Sequence, residues 1–170
     1  YLAPGMRQER TEVDGTRYYH LILLAENETG YRNLVQLVSL ANLEGVYYKP
    51  RVDKELLRKY HEGLICLSAC VAGEIPQALV RDNMERADRL VQEYIDIFGR
   101  DNFFLEIQKH GLADEKTAFA GVIELAEKFD IGLVATNDIH YVRKKDTEAH
   151  DVLLAIQTSK GVNDPTRMRY

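Results

Sequence analysis

The sequence predicts an α/β fold with mainly parallel strands, because strand-like and helix-like segments alternate along the whole chain. Four apolar segments of 6 to 8 residues are nearly continuous in Leu, Ile, Val and aromatic residues, as is typical of strands buried on both faces. They lie at residues 18–25, 63–70, 103–108 and 132–138. Four strands leave open whether the sheet is open or part of a barrel. In both folds the chemistry gathers at the carboxyl ends of strands.

The first half of the chain carries two predicted helices. The first covers residues 30–44, and its apolar stripe consists of Tyr31, Leu34, Val38 and Ala41. Either Asn27 or Thr29 can cap its start, and Gly45 can end it. A short second helix is predicted after Asp53, before the second strand.

The second half carries three predicted helices. Residues 84–98 have apolar positions that step by three and four, and Gly99 is a suitable residue to end this helix. Residues 115–129 repeat the same spacing. Asp146 is positioned to cap a last helix, whose apolar residues are Val152, Leu153 and Ile156.

The length and the first residue bear on domain organisation. The 170 residues, 45% of them hydrophobic, suffice for one core and predict a single domain over residues 1–170. The first residue is Tyr, which indicates a piece of a longer protein. No apolar run approaches the ~20 residues that cross a bilayer, which favours a soluble, intracellular protein.

Charge and motifs argue against several functions. A formal net charge of -5 argues against a surface whose main task is to grip a phosphate backbone, since such surfaces are basic. The sequence has no glycine-rich phosphate loop, no serine nucleophile elbow and no zinc-ribbon cysteine pairing. It also has no pair of nearby aspartates like the two-metal centre of a polymerase, so polymerisation chemistry is not encoded here.

The two cysteines are predicted to be free thiols. In an extended strand the Cα atoms of Cys66 and Cys70 lie ~13 Å apart, beyond the ~7 Å limit for a disulfide. Buried packing is the usual role of a free cysteine and suits Cys66. Cys70 ends the predicted strand and is the better candidate for a site.

The segment Asn137-Asp138-Ile139-His140 is the sharpest local feature. Asp138 and His140 are separated by one residue, so in extended chain both side chains point the same way. A carboxylate beside an imidazole is a usual ligand set for zinc, manganese or iron. The alternative is a turn in which Asp138 bonds to backbone and His140 caps a neighbouring group.

The other histidines differ in their position relative to the strands. His110 follows the third strand, where it could bind metal, hold a phosphate, shuttle a proton or serve as a loop residue. Glu106 lies within that strand, either as a buried partner or facing solvent. His20 stands near the start of its strand and is structural on that ground alone. His61 and His150 are expected to face solvent or to support a site at most.

Six segments carry a family resemblance along essentially the whole chain. They read YYHLILLAENETGYRNLVQLVSLA, GVYYKPRVDKELL, EGLICLSACVAGEIP, FFLEIQKHGL, GLVATNDIHYVRKKDTEAHDVLLAIQT and GVNDPTRMRY. With these segments the chain resembles the PHP (polymerase and histidinol phosphatase) domain of bacterial replicative DNA polymerase III alpha subunits. Several long segments in the right order are more specific than any single motif.

The resemblance implies a partial distorted (βα) barrel of PHP type, in which His, Asp, Glu and sometimes Cys ligands hold metal ions at one mouth. The implied metal ligands are His20, Cys70, Asp138 and His140. Asp138 and His140 are also the implied catalytic residues, and His110 is implied to contact substrate or to support the ligands. The implied cofactor is zinc or manganese. The resemblance thus implies a ligand role for His20, although its position near the start of a strand indicates a structural role.

The resemblance also implies that residues 1–170 are the C-terminal portion of a PHP domain, without the family's N-terminal metal-binding strands. The isolated chain is therefore expected to be inactive, with partial or no metal occupancy. The implied parent is a cytoplasmic DNA-directed DNA polymerase of DNA replication, with proofreading 3′→5′ exonuclease activity in its PHP domain. Its implied partners are DNA and other polymerase III holoenzyme subunits, including a proofreading subunit, and no membrane.

Two alternative functions remain open at this point. The domain could be a non-catalytic module that braces the polymerase and docks a separate proofreading subunit. It could instead be a stand-alone PHP phosphatase that acts on a small phosphomonoester such as histidinol phosphate. The segment GVNDPTRMRY argues against the phosphatase, because it resembles the segment that leads into the polymerase body.

Overall fold

The computed structural model describes residues 1–167 of the chain. The chain divides into two compact units, Tyr1–Thr136 and 137–170, which are described separately below. The single domain over residues 1–170 stays a prediction. The last three residues of the segment GVNDPTRMRY, 168–170, lie outside the described residues.

The first unit contains one four-stranded sheet. Its strands are β1 (Ile22–Ala25), β2 (Leu64–Leu67), β3 (Phe103–Ile107) and β4 (Leu133–Ala135), in the spatial order β1-β2-β3-β4. β2 pairs with β3 and β3 with β4 in parallel, which confirms the predicted α/β class with a mainly parallel sheet. The sheet is open, and each strand is shorter than its apolar segment.

The first strand pair departs from the parallel pattern. β1 runs antiparallel to β2, with Ile22 opposite Leu67 and Ala25 opposite Leu64. The amino end of β1 therefore lies at the same edge of the sheet as the carboxyl ends of β2, β3 and β4. This orientation removes the objection to His20 as a site residue, because the start of β1 is at the chemically relevant edge.

Six helices surround or follow the strands in residues 1–167, and none of them is long and apolar enough to cross a membrane. They are α1 (Glu28–Glu44), α2 (Lys54–Lys59), α3 (Glu74–Val80), α4 (Met84–Phe98), α5 (Ala113–Phe129) and α6 (Thr147–Thr158). Asn27 caps α1 and Asp53 caps α2 through side-chain oxygens that accept backbone N–H groups, and Gly99 follows α4 with φ of 82°. These positions confirm the predicted start of α1, the predicted start of α2 and the predicted end of α4.

α3 was not predicted from the sequence. It has seven residues, too few for a periodic apolar signal, and Pro76 is its third residue. Proline is tolerated there because a backbone N–H in the first helical turn has no partner within the helix.

The predicted apolar stripe of α1 is partly wrong. The buried residues of α1 are Gly30, Leu37 and Ala41, whereas Tyr31 is 63% exposed and Val38 55% exposed. The helix is rotated because Gly30 packs directly against the backbone of Gly63, where a Cβ atom would lie 1.7 Å from the Gly63 carbonyl oxygen. The buried face of α1 is therefore set by this close backbone contact and not by the largest apolar side chains of the helix.

The core of the first unit is built from residues of the sheet and of the helices α1 to α5. Cys66 and Phe103 are paired across β2 and β3, and both side chains are fully buried. The Tyr94 ring of α4 stacks on the Phe103 ring with 5.1 Å between centroids. Such pairs add to the hydrophobic contribution of the area that they bury.

A buried arginine organises the segment before β1. Arg51 is 1% exposed, and its guanidinium donates to the backbone carbonyls of four residues. These acceptors are Gly45 at 3.1 Å, Arg17 at 3.0 Å, Arg7 at 3.0 Å and Glu9 at 2.8 Å. One cation thus satisfies carbonyls in a loop that has little regular hydrogen bonding of its own.

Candidate functional site

His20 and Cys70 meet at the sheet edge where β1 begins and β2 ends. Cys70 Sγ lies 3.5 Å from His20 Nδ1, and both residues are half-buried. Both cysteines are free, as predicted, and Cys66 is fully buried. Burial raises the pKa of the Cys66 thiol well above its ordinary value, which suits a packing role.

A tight turn between β2 and α3 brings Cys70 to His20. Ala69 adopts φ of 64°, and the Gly73 N–H donates to the Cys70 carbonyl at 2.8 Å. A Cβ atom on Gly73 would lie 2.1 Å from the Ser68 carbonyl oxygen, so the turn requires glycine at this position. The His20 N–H donates to the Ala72 carbonyl at 2.9 Å, which ties the turn to the chain before β1.

The spacing of these two donors fits one metal ion. With Zn–N of about 2.1 Å and Zn–S of about 2.3 Å, two ligands of a tetrahedral zinc lie about 3.6 Å apart. The observed 3.5 Å between His20 Nδ1 and Cys70 Sγ agrees with that separation. An imidazole and a thiolate are ligands that zinc prefers.

Buried polar groups join the ends of β2, β3 and β4. Glu106 is 4% exposed, and its Oε1 accepts from Thr136 Oγ1 and, at 3.0 Å, from Gln108 Nε2. The Glu106 N–H donates to Ser68 Oγ at 2.8 Å. Glu106 Oε2 is buried and has no hydrogen-bond partner among the described residues. The sequence left open whether Glu106 is a buried partner or faces solvent, and the structure shows that it is buried.

Glu115 holds His110 in place at the start of α5. The buried Glu115 carboxylate accepts from His110 Nδ1 at 2.6 Å and from the backbone N–H groups of His110 at 2.7 Å, Gly111 at 2.9 Å and Leu112 at 3.2 Å. Burial favours a higher pKa for Glu115, but the bonds from His110 and the backbone outweigh it and lower the pKa. The His110 ring is therefore held in a fixed orientation by its hydrogen bond to Glu115.

We predict that Glu115→Gln lowers the free energy of unfolding by about 2 kcal/mol at pH 7, because hydrogen bonds to a charged acceptor are replaced by weaker ones. The folded pKa of Glu115 is below its unfolded value, so this contribution is fully present above the unfolded value of about 4.3. It is lost as the pH falls through the folded pKa.

Denaturant unfolding at several pH values checks this prediction. The difference between the unaltered protein and Glu115→Gln should shrink as the pH falls below about 4. Asp114→Asn is the matched control, since Asp114 is an exposed neighbour in the same turn. A difference that grows as the pH falls below about 4 would contradict the assignment.

The second unit holds the other two implied ligands. Asp138 adopts φ of 44°, and His140 Nδ1 lies 2.7 Å from the Asp138 carbonyl oxygen. Because a carbonyl only accepts, His140 Nδ1 is the donor in this contact. Metal-binding histidines commonly make such a bond to a backbone carbonyl.

His150 is a residue whose position the sequence did not reveal. Its ring lies on α6, with its centroid 5.9 Å from that of His140 and 5.2 Å from that of Tyr141. The sequence predicted that His150 faces solvent or supports a site at most, and in the structure it is half-buried near His140. A spacing of ten residues between His140 and His150 does not by itself indicate that the two rings are neighbours, because that depends on the path of the chain between them.

The structure therefore brings the four predicted ligands together as two pairs, one in each unit. His20 touches Cys70, and the His140 ring is held by the Asp138 backbone. In residues 1–167 there is no group of three or more His, Cys, Asp or Glu side chains arranged to hold a metal ion. That the two pairs form one site stays a prediction, as do the catalytic roles of Asp138 and His140.

Comparison with known proteins gives a consistent result. The family profile described as PHP domain matches residues 3–110. The chain is 51% identical, over its full length, to the DNA polymerase III subunit alpha of Treponema pallidum, and 49% identical to that of Thermus aquaticus. It is 42% identical, over 99% of its length, to the same subunit of Borreliella burgdorferi. The chain spans only 15%, 14% and 15%, respectively, of the length of these relatives.

Proposed function

This chain belongs to the PHP domain family, and on that premise we propose that it is part of a bacterial DNA polymerase III alpha subunit whose PHP domain is a metal-dependent 3′→5′ exonuclease. The proposed activity removes mismatched nucleotides from the 3′ end of new DNA. The parent protein is then a cytoplasmic DNA-directed DNA polymerase of replication that works with DNA and other holoenzyme subunits. Similarity to alpha subunits over the full chain supports this proposal.

The 3.5 Å separation of His20 Nδ1 and Cys70 Sγ carries the proposal. That separation matches two ligands of one zinc ion, and it also lies within hydrogen-bonding range for a thiol and an imidazole. The tight turn at Gly73 and the antiparallel direction of β1 both serve to bring these two side chains together.

We assign His20, Cys70, Asp138 and His140 as ligands of a zinc or manganese site. One thiolate, one carboxylate and two imidazoles suit zinc, and the carboxylate and imidazoles also suit manganese. Asp138 follows Thr136 by two residues, and Thr136 is fixed to the end of β3 through Glu106.

When bound, a divalent metal supplies Lewis-acid chemistry for phosphodiester hydrolysis. The chain's own residues bind and orient it. Asp138 contributes negative charge, and His140 offers Nε2 because its Nδ1 is held by a carbonyl. His110, oriented by Glu115, is assigned to contact the substrate or to move a proton near neutral pH.

The test of this proposal is Asp138→Asn in the complete parent protein. We expect manganese-dependent removal of a mismatched 3′ nucleotide to fall to background, because the amide keeps the size of the side chain but loses the charge that binds metal. The release of a labelled 3′-terminal nucleotide measures the activity. Bound metal, counted by mass spectrometry, should fall in parallel.

Asp101→Asn is the matched control, because Asp101 is an exposed carboxylate in the turn before β3. It should leave both nucleotide removal and metal content unchanged. Extension of a matched primer confirms that each variant is intact. The exonuclease proposal fails if the unaltered protein has no such activity, or if the activity survives unchanged in Asp138→Asn.

A further inference from the structure

A cluster of aromatic and cationic side chains lies beside His20 in the first unit, and we propose that it binds the single-stranded 3′ end of DNA. This cluster, here called the Tyr48 surface, consists of Arg17, Tyr18, Tyr48 and Lys49. The inference rests on the proposed function, because an exonuclease needs to hold a frayed strand next to its metal ligands.

The Tyr48 ring is supported from the inside of the protein. The Arg17 guanidinium carbon lies 4.3 Å from the centroid of the Tyr48 ring, and the Tyr47 ring meets Tyr48 edge to face at 4.8 Å. The buried Arg51 guanidinium lies 5.0 Å from the Tyr47 centroid. A series of contacts thus runs outward from Arg51 through the Tyr47 ring to the Tyr48 ring, which is 66% exposed and carries the Arg17 guanidinium.

The backbone of Tyr48 is strained. Tyr48 has φ of 61° and lies between Tyr47 and Lys49, whose backbone N–H and carbonyl are joined at 3.1 Å. This left-handed conformation is unfavourable for a bulky residue and would suit glycine. Residues held in such conformations cluster at binding and catalytic sites. An exposed tyrosine here has no role in the core that would explain the strain.

The Tyr1 ring joins the Tyr48 surface to His20, with its centroid 4.8 Å from that of Tyr18 and 5.2 Å from that of His20. A hollow lies beside Arg17 and Tyr18. It has a volume of about 300 Å³ and is lined in part by Arg17, Tyr18, Ala72 and Gln77. The Ala72 carbonyl accepts from the His20 backbone N–H, so one wall of the hollow is the turn that also carries Cys70. The volume is at the lower end of pockets that hold small organic ligands, and it suits one nucleotide unit.

The local charge permits a nucleic-acid contact that the net charge of -5 does not favour in general. Arg17 and Lys49 supply two cations beside the exposed ring of Tyr48 and the half-buried ring of Tyr18. Arg17 is paired with Glu12 at 2.5 Å, but both side chains are about two-fifths exposed, and such pairs are weak enough for a phosphate to displace the carboxylate. Aromatic rings stack on bases of any sequence only where the bases are unpaired, which favours single-stranded DNA over duplex.

The test uses photocrosslinking in the complete parent protein. An oligodeoxythymidylate with 5-iododeoxyuridine at its 3′ end is irradiated with the protein in the presence of EDTA, and the crosslinked peptides are identified by mass spectrometry. We expect crosslinks at Tyr18 or Tyr48. Because EDTA prevents hydrolysis, this result does not depend on whether the exonuclease is active.

Variants of Tyr48 separate binding from folding. Tyr48→Gly should lower the crosslink yield on this surface about tenfold while the thermal midpoint stays equal or rises, because glycine relieves the strain. Tyr48→Phe should retain the crosslink, since it keeps the ring. Arg17→Ala should weaken binding and lower the salt slope by about 0.7, the value for one phosphate contact on a single strand.

Tyr31→Ala is the matched control, because Tyr31 is 63% exposed on α1 and is not part of the Tyr48 surface. It should leave the crosslink yield unchanged. Crosslinks that lie only elsewhere in the protein, or a yield that Tyr48→Gly does not reduce, would overturn the inference. If Tyr48 crosslinks to DNA but the protein has no exonuclease activity, the inferred DNA-binding surface is supported and the proposed exonuclease function is contradicted.

Discussion

Replacing Arg51 by methionine is expected to lower the free energy of unfolding by about 3 kcal/mol or more. The guanidinium is 1% exposed and donates to four backbone carbonyls, in residues 7, 9, 17 and 45. Methionine fills much of the volume but donates nothing, and each buried acceptor that loses its donor costs about 1–3 kcal/mol unless water reaches it. Some of these carbonyls lie near the surface, so the total is smaller than four full penalties.

Urea unfolding followed by tyrosine fluorescence measures this loss. Arg51→Lys should recover little of it, because one ammonium cannot span acceptors arranged around a planar guanidinium. Arg32→Met is the matched control, since Arg32 is 76% exposed and is paired only with the exposed Glu28 in the described structure. A surface pair of this kind contributes at most about 0.5 kcal/mol. Equal losses for Arg51→Met and Arg32→Met would show that the carbonyl contacts of Arg51 are unimportant.

Gly30→Ala is expected to lower the free energy of unfolding by about 2 kcal/mol or more. The new Cβ would lie 1.7 Å from the Gly63 carbonyl oxygen and 2.5 Å from its carbonyl carbon. Both are backbone atoms, so no side-chain rotation relieves the overlap and α1 must move away from the chain before β2. Overpacking of this kind costs about 1–3 kcal/mol or more, and the better helix propensity of alanine offsets only about 1 kcal/mol.

The same unfolding measurement checks Gly30→Ala. Gly161→Ala is its control, because a Cβ at Gly161 has no atom within 4 Å and the substitution should change stability by less than about 0.5 kcal/mol. Gly63→Ala should be at least as damaging as Gly30→Ala, since Gly63 also has φ of 70°. A neutral result for Gly30→Ala would mean that α1 does not pack on Gly63 as described.

Much of the local structure could be predicted from the sequence. The first and last residues of the helix over 84–98 were predicted correctly, because its apolar residues recur every three or four positions and Gly99 follows. Asn27 was one of the two caps predicted for α1, and the start of α2 after Asp53 was also predicted, since a helix start depends on groups only about three residues apart. α3 was missed because seven residues are too few to show a period.

The candidate site was predictable in part. The Asp138 and His140 motif and the position of Cys70 at the end of a predicted strand are local signals. His20 was harder, because strand direction decides which end of a strand carries chemistry, and nothing in residues 18–25 records that β1 is antiparallel. The burial of Glu106 and the aromatic contacts of His150 likewise depend on residues from other elements.

The sequence by itself determined the α/β class, the starts and stops of most helices, the free thiols and the membership of the PHP domain family. Those properties follow from interactions between residues close in the chain, or from the order of long segments. Only the tertiary structure decided that His20 touches Cys70, that Gly30 rather than Tyr31 faces the core, and that Arg51 holds four carbonyls. Each of these joins residues far apart in the chain through strand direction and close backbone packing, which local spacing does not encode.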